Sequence, residues 1–379
     1  MRVLHVTPAF APAYRYGGPI ETVLRLCLSL QRAGVGIDVI TTTANGDEDL
    51  TVKTHSEIDV EGLRVRYFPR WGTTDYAFSP ALVRWLAAHV RRYDLVHITS
   101  TFSFPALAAG IVSRVAGIPY VVSPHGSLQS WSLRQKRWKK LPYWLGLEGP
   151  HLRRASAIHA TAEFEEEEVR RLLPTARIFT IANGSEKVSI PSVMRDERRI
   201  VFLGRIHKKK GLDVLIPALS EVANSLPDVE TIVAGPDDEG EWSRVQTLIE
   251  SANPRPRVRY IGPVYGQERF RLLASAAAFV LPSHSENFGM TVVEAMACRT
   301  AVVVSRNCPW SILTKVGAGM WVENTPADVA AALLRLLRDG NLRERMGAAG
   351  ANLAAKFSWD ALAQEMAAKY RELLSDCPG

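Results

Sequence analysis

Two glutamates stand with seven residues between them in the run Pro282-Ser283-His284-Ser285-Glu286-Asn287-Phe288-Gly289-Met290-Thr291-Val292-Val293-Glu294. A carboxylate is a strong acceptor for the hydroxyls of a sugar or a ribose. Gly289 and the backbone N–H groups at the start of the following helix suit a phosphate. Thr291-x-x-Glu294 also matches a capping box, in which Glu294 bonds backbone and does no chemistry. That alternative covers Glu294 and leaves Glu286 without a structural duty. A second cluster, Gly204-Arg205-Ile206-His207-Lys208-Lys209-Lys210-Gly211, carries four cations directly after a strand. Arginine offers a planar fork for phosphate oxygens and lysine a compact charge. The competing reading is a solvated basic loop.

Three further stretches carry candidate chemistry. Gly17-Gly18-Pro19 lets backbone approach a ligand at a helix start, or is a simple turn. In Ser123-Pro124-His125-Gly126 the imidazole of His125 suits a sugar hydroxyl or a charged transition state, or it is a structural hydrogen-bonder. The stretch Trp131 to Trp144 holds Arg134, Lys136, Arg137, Lys139 and Lys140 and no acid, interleaved with Trp138 and Tyr143. Rings at headgroup depth with snorkelling cations fit an anionic membrane surface. An exposed basic face is the alternative. The run Glu165 to Glu168 reads as the start of a solvated helix with no assigned role.

The elements that must hold these residues form a repeating pattern. Val3-Leu4-His5-Val6 is a short buried strand, and the apolar spacing of Ile20, Val23, Leu24, Cys27 and Leu28 predicts a helix closed by Gly34. Ile37 to Thr41 is the next strand. The same strand–loop–helix–strand unit begins again at Arg199, with a helix over 212–226 and a strand over 231–235. Further strands are read at 95–98, 120–123, 258–261, 278–281 and 301–304. Strands alternating with helices predict α/β architecture with parallel sheets covered on both faces. In such sheets ligands bind beyond the carboxyl ends of the strands. The segment 183–198 has no clear period and marks a boundary. Trp359 to Leu374 is an amphipathic helix with Leu362, Met366, Tyr370 and Leu373 on one stripe.

The chain of 379 residues is long enough for two cores. At 47% apolar and 22% charged it is too apolar for disorder. No apolar run reaches membrane-spanning length. Met1 leads straight into a strand without a signal-peptide pattern, so a cytoplasmic location is expected. Cys27, Cys298, Cys308 and Cys377 form no C-x-x-C pair, so a zinc site is not expected and reduced thiols are. The net charge of +7 fits an acidic partner without choosing one. A nicotinamide dehydrogenase is disfavoured, because Gly17-Gly18 lacks the Gly-x-Gly-x-x-Gly spacing and the second strand has no acid at its end. An epimerase or phosphorylase using sugar nucleotides, and a non-enzymatic basic membrane-binding module, stay open.

Taken together and in order, these motifs resemble the retaining glycosyltransferases of family GT4 (glycosyl transferases group 1), which have the GT-B fold. The resemblance spans nearly the whole chain. It rests most on Ser283-x-x-Glu286-x-Phe288-Gly289 with Glu294, then on Gly204-Arg205 with Lys210-Gly211, and less on Gly17-Gly18, His125-Gly126 and Asn183-Gly184. It implies two Rossmann-like doubly wound domains facing a central cleft. An acceptor-binding domain would cover 1–190, a nucleotide-sugar-binding domain 191–356, and a C-terminal helix 357–379 would cross back to the first. It implies a UDP- or GDP-sugar donor and a glycan or lipid-linked acceptor in cell-surface polysaccharide synthesis. No cofactor or metal is expected, and the sequence has no Asp-x-Asp motif. Nucleic acid is not an expected partner, and peripheral membrane contact through Trp131 to Trp144 is.

The implied roles are residue-specific. Arg205 and Lys210 would contact the diphosphate, with the amides of Phe288, Gly289, Met290 and Thr291 and the Gly17-Gly18 loop. Glu286 would accept hydroxyls of the transferred sugar and Glu294 those of the ribose. His125 would lie near the sugar, and the base near Gly262 and Val264. One departure is Val233-Ala234-Gly235-Pro236, where many relatives have Gly-x-Gly-Pro, which leaves base and donor choice open.

Overall fold

The computed structural model describes residues 1–135, 137–185, 193–237 and 240–376. It divides into an N-terminal unit, Met1–Gly184 with Trp359–Gly379, and a C-terminal unit, Ser185–Ser358. Residues 186–192, within the segment read as a boundary, lie outside the described residues, as does Cys377.

The N-terminal unit holds β1 (Arg2–Val6), β2 (Gly36–Thr42), β3 (Ala44–Asn45), β4 (Glu48–Asp49), β5 (Glu57–Val60), β6 (Leu63–Phe68), β7 (Leu95–Thr99), β8 (Tyr120–Ser123), β9 (Ala157–Ala160) and β10 (Ile178–Thr180). Among the described residues its main sheet has eight strands in the order β10-β9-β8-β7-β1-β2-β6-β5. All neighbours are parallel except β5, which returns antiparallel on β6 as an edge hairpin. The sequence pattern predicted parallel pairing only, and this hairpin is a correction. The order reverses between β1 and β7, which pair directly. The helix predicted from Ile20 onward spans Gly18–Arg32 with Pro19 in its first turn. Its apolar stripe packs Leu24, Cys27 and Leu30 into the core.

The C-terminal unit holds β11 (Asp196–Leu203), β12 (Glu230–Ala234), β13 (Arg257–Tyr260), β14 (Ala276–Leu281), β15 (Ala301–Ser305) and β16 (Gly319–Val322). Among the described residues these form one parallel sheet in the order β13-β12-β11-β14-β15-β16. Every residue of β14 and β15 is buried. Helices cover both faces of such strands, so they read as continuous apolar runs. The order reverses between β11 and β14.

The last helix, Trp359–Ser375, buries Leu362, Met366, Tyr370 and Leu373 in the same core as β1 and the helix Gly18–Arg32. Ion pairs flank it on the same unit: Arg32 to Asp360 at 2.7 Å, Arg177 to Glu372 at 2.6 Å and Arg177 to Asp376 at 2.7 Å. The sequence stripe thus names its buried face, and the N-terminal unit is completed by residues from the far end of the chain.

Candidate functional site

The C-terminal unit assembles its candidate residues at the carboxyl ends of β11 and β14, where the strand order reverses. That is the place an open parallel sheet offers a ligand. The loop 204–211 leaves β11 and the loop 282–289 leaves β14. The two are stitched by the N–H of His284 donating to the carbonyl of Lys209 at 2.8 Å. Gly211 makes this approach possible. Its φ is +72°, and a Cβ there would lie 1.8 Å from the carbonyl oxygen of Pro282. The result brings Lys210 Nζ to 2.5 Å from Glu286 Oε2.

Glu286 is 9% exposed. Burial alone would raise its carboxyl, but the charges of Lys210 and Lys209 and the hydrogen bond from Lys210 outweigh it and hold the group below the ordinary value. Ser283 Oγ adds a long contact at 3.4 Å. Lys209 is pushed below the ordinary lysine value chiefly by burial, against the pull of Glu286 and with the repulsion of Lys210 and Arg205. Arg205 is exposed just past the end of β11. Two cations, Lys209 and Lys210, therefore act on one buried carboxylate, with Arg205 close enough to Lys209 to repel it.

The helix Met290–Ala297 starts beside this pair. Its N-cap is Gly289, at φ +84°, and no side chain caps it. A Cβ on Gly289 would crowd Glu286 and Trp310 at 3.3 Å each. This removes the capping-box reading of Thr291 and Glu294, since Thr291 lies inside the first turn rather than at the cap. Glu294 is buried and paired with Arg269 at 3.4 Å instead. Phe288 packs between Trp310 and Phe357, and its carbonyl accepts from Trp310 Nε1 at 2.5 Å. These contacts fix the backbone on which Phe288, Gly289, Met290 and Thr291 present their amides. Gly262 and Val264 follow β13 and are partly buried, and the Gly262 carbonyl accepts from the Gly235 N–H at 2.9 Å.

The N-terminal unit places its candidates at the carboxyl ends of β1 and β8. Gly17, at φ +70°, caps the helix that begins at Gly18, and open space surrounds both. His125 follows β8 with φ +50°, a left-handed conformation uncommon outside glycine. Burial, with the nearby His159 and His5, lowers its pKa to about 3. A neutral ring donates at one nitrogen and accepts at the other. Bonds within the loop, such as Ser127 Oγ–H donating to the Pro124 carbonyl at 2.7 Å, are joined by two carboxylates from outside it, Glu165 and Glu168. Glu165 Oε1 accepts from the Gly126 N–H at 2.5 Å, and Glu168 Oε2 accepts from the Ser130 N–H at 2.5 Å. The expected solvated Glu run is therefore corrected: Glu165 is 1% exposed and Glu168 is also buried. The signal was present, because 165, 168, 169 and 172 follow helical spacing and put both carboxylates on the inward stripe with Val169.

The basic aromatic stretch forms helices Ser130–Arg134 and Arg137–Tyr143, followed by a π-helical turn over Trp144–Glu148. Lys136 lies outside the described residues. Trp138 is 75% exposed and Leu141 and Leu145 are exposed beside it, while Trp144 and Tyr143 turn inward toward Phe102. Among the described residues no helix is long and apolar enough to cross a membrane.

Known proteins match both units. The family model "Glycosyl transferase 4-like domain" matches residues 17–184, and "Glycosyl transferases group 1" matches 186–353. A D-inositol 3-phosphate glycosyltransferase of Thermobifida fusca is 26% identical, with 99% of this chain and 93% of the relative covered. The enzyme of that name from Corynebacterium jeikeium is 25% identical, with coverage of 98% and 95%. Among solved structures, a sucrose-phosphate synthase from Thermosynechococcus elongatus has a TM-score of 0.75 at 21% identity, covering 99% of this chain and 100% of the other. Anabaena HepE, solved with UDP and glucose, has a TM-score of 0.77 at 19% identity, covering 98% and 100%. With two Rossmann-like units, each matched by its own family model, the chain belongs to the group 1 glycosyl transferases of GT4 type and is a glycosyltransferase with the GT-B fold.

Proposed function

We propose that the protein moves a sugar from a UDP- or GDP-linked donor to a hydroxyl of a glycan or lipid-linked acceptor in cell-surface polysaccharide synthesis. The observation that carries this reading is the Lys210–Glu286 pair beside the uncapped helix start at Gly289. The names of relatives lend support: the Thermobifida fusca and Corynebacterium jeikeium relatives are named D-inositol 3-phosphate glycosyltransferases, and Anabaena HepE has been solved with UDP-glucose.

In this reading Arg205, Lys210 and the amides of Phe288, Gly289, Met290 and Thr291 face the diphosphate. Glu294 accepts from the ribose, and the base lies at Gly262 and Val264. Breaking the anomeric C–O bond builds positive charge on the sugar and negative charge on the departing diphosphate. Fixed cations and helix N–H groups stabilise the second, and the ionised Glu286 holds sugar hydroxyls. Protein cations do this work without a divalent metal. His125, neutral, bonds a hydroxyl of the transferred sugar, and the anomeric configuration is retained.

A membrane-surface role for the Ser130–Tyr143 region accompanies it. Exposed Trp138, Leu141 and Leu145 beside Arg134, Arg137 and Lys139 suit an anionic lipid surface at the inner face of the plasma membrane. A thermal-shift screen of sugar nucleotides in EDTA tests the donor assignment. A ligand that binds the folded state raises the melting temperature by mass action. A rise with a UDP- or GDP-sugar, and transfer without added metal, is expected. No shift with any sugar nucleotide, or activity abolished by EDTA and restored by a divalent ion, overturns it.

A further inference from the structure

Beneath the His125 turn, buried histidines form a chain whose donors and acceptors can be counted. His159 Nε2 lies 2.8 Å from the carbonyl oxygen of Ile181. A carbonyl only accepts, so Nε2 carries the proton. Burial pulls the His159 pKa down to about 4, so the ring is neutral and Nδ1 is bare. Ser123 Oγ is 2.8 Å from that Nδ1, and its hydroxyl must donate there. Ser123 Oγ is also 2.5 Å from His97 Nε2. With the serine proton already committed, His97 Nε2–H is the donor. Burial, then the charges of His5, His159 and His125, also holds His97 well below its ordinary value. Its Nδ1 is therefore an acceptor, and it faces the hydroxyl of Tyr370. With both rings neutral, every polarity in the chain follows from the Ile181 carbonyl.

The chain starts on the last helix and ends beside β10. Its middle member, Ser123, is the final residue of β8, two positions before His125. Glu165 holds the other side of the same turn through Gly126. We propose that Tyr370 is a positioning residue for glycosyl transfer, whose hydroxyl orders the Tyr370–His97–Ser123–His159 chain and so fixes the left-handed turn that carries His125. The proposal rests on the reading that His125 serves the transferred sugar.

The test uses the full chain labelled with 15N-histidine. His97 and His159 are both expected as Nε2–H tautomers at neutral pH. Tyr370→Phe removes the first donor and leaves the ring packing in place. It should lower kcat about tenfold with donor KM within about twofold, and shift the His159 signals across the chain. Leu373→Ala, which removes packing from the same helix, should lower the melting temperature without moving kcat or those signals. His97 found as the Nδ1–H tautomer, wild-type kcat in Tyr370→Phe, or an equal kcat loss in Leu373→Ala overturns the proposal. Wild-type turnover in His125→Ala would instead remove the underlying reading and the positioning role with it, and the tautomers would still judge the chain by themselves.

Discussion

Glu286 is a buried carboxylate kept ionised by its neighbours, and that governs what its substitutions do. Replacing Glu286 or Lys210 by Ala should each cost at least about a hundredfold in turnover, through loss of a transition-state contact. Release of nucleoside diphosphate measures this, and near-normal rates in either variant would argue against the site. The pH dependence follows from the sign of the shift. The folded-state pKa of Glu286 is depressed, so its stabilising contribution is present above the unfolded carboxylate value of about 4.3 and is lost as pH falls through the lower folded value. In Lys210→Ala burial gains on the remaining charges and the Glu286 pKa rises. The acid limb of its melting-temperature profile should move to higher pH than that of the wild type, and coincident profiles would contradict the account. Sequence spacing named Glu286, Lys210 and Gly289 because each breaks a local expectation: an acid without a duty, a cation cluster after a strand, a glycine at a helix start. It gave no roles to His97 or His159, whose hydrogen-bond partners lie 22 or more residues away, or to Glu165, whose bond to Gly126 spans 39 residues.

Gly211 shows how an element places a residue. Gly211→Ala forces an L side chain into the left-handed region and into the Pro282 carbonyl. The backbone term alone is about 1–2 kcal/mol, so denaturant unfolding should show a loss of at least that size, with weaker donor binding. An unchanged midpoint would mean the two loops are not locked as described. The segment Ser130–Tyr143 makes a different claim. Exchanging Arg134, Arg137 and Lys139 for Ser should weaken binding to vesicles containing anionic lipid while binding to neutral vesicles stays at its low level. Equal binding by variant and wild type would reduce the segment to a basic face. Long, strongly patterned elements were legible: β1, β2, β7, β8, β11, β12, β14, β15 and the helices 18–32, 212–225 and 359–375 all fall within a few residues of their predicted bounds. The β5–β6 hairpin was not, because Glu57 to Val60 alternates over only four residues, too short a run to stand alone, and its pairing with β6 makes it a strand. The glutamates of helix Glu163–Leu172 were misread because charge was weighed before the helical stripe.

At the scale of the molecule, a chain that repeats one strand–loop–helix plan yields two parallel sheets, each with its own reversal of strand order. That repetition is what the sequence carries most openly, since periodicity survives where specific contacts are unseen. The grouping of Trp359–Ser375 with the first unit depends on side-chain fit around Leu24, Cys27 and Leu30, which spacing alone cannot assign. The central claim is that the carboxyl ends of β11 and β14 grip a nucleoside diphosphate. A crystal structure of the protein with UDP or GDP tests it most directly. The account predicts phosphate oxygens within hydrogen-bond reach of Arg205, Lys210 and the amides at Gly289 to Thr291, with the ribose at Glu294. A nucleotide bound with its phosphates away from all of these would contradict it.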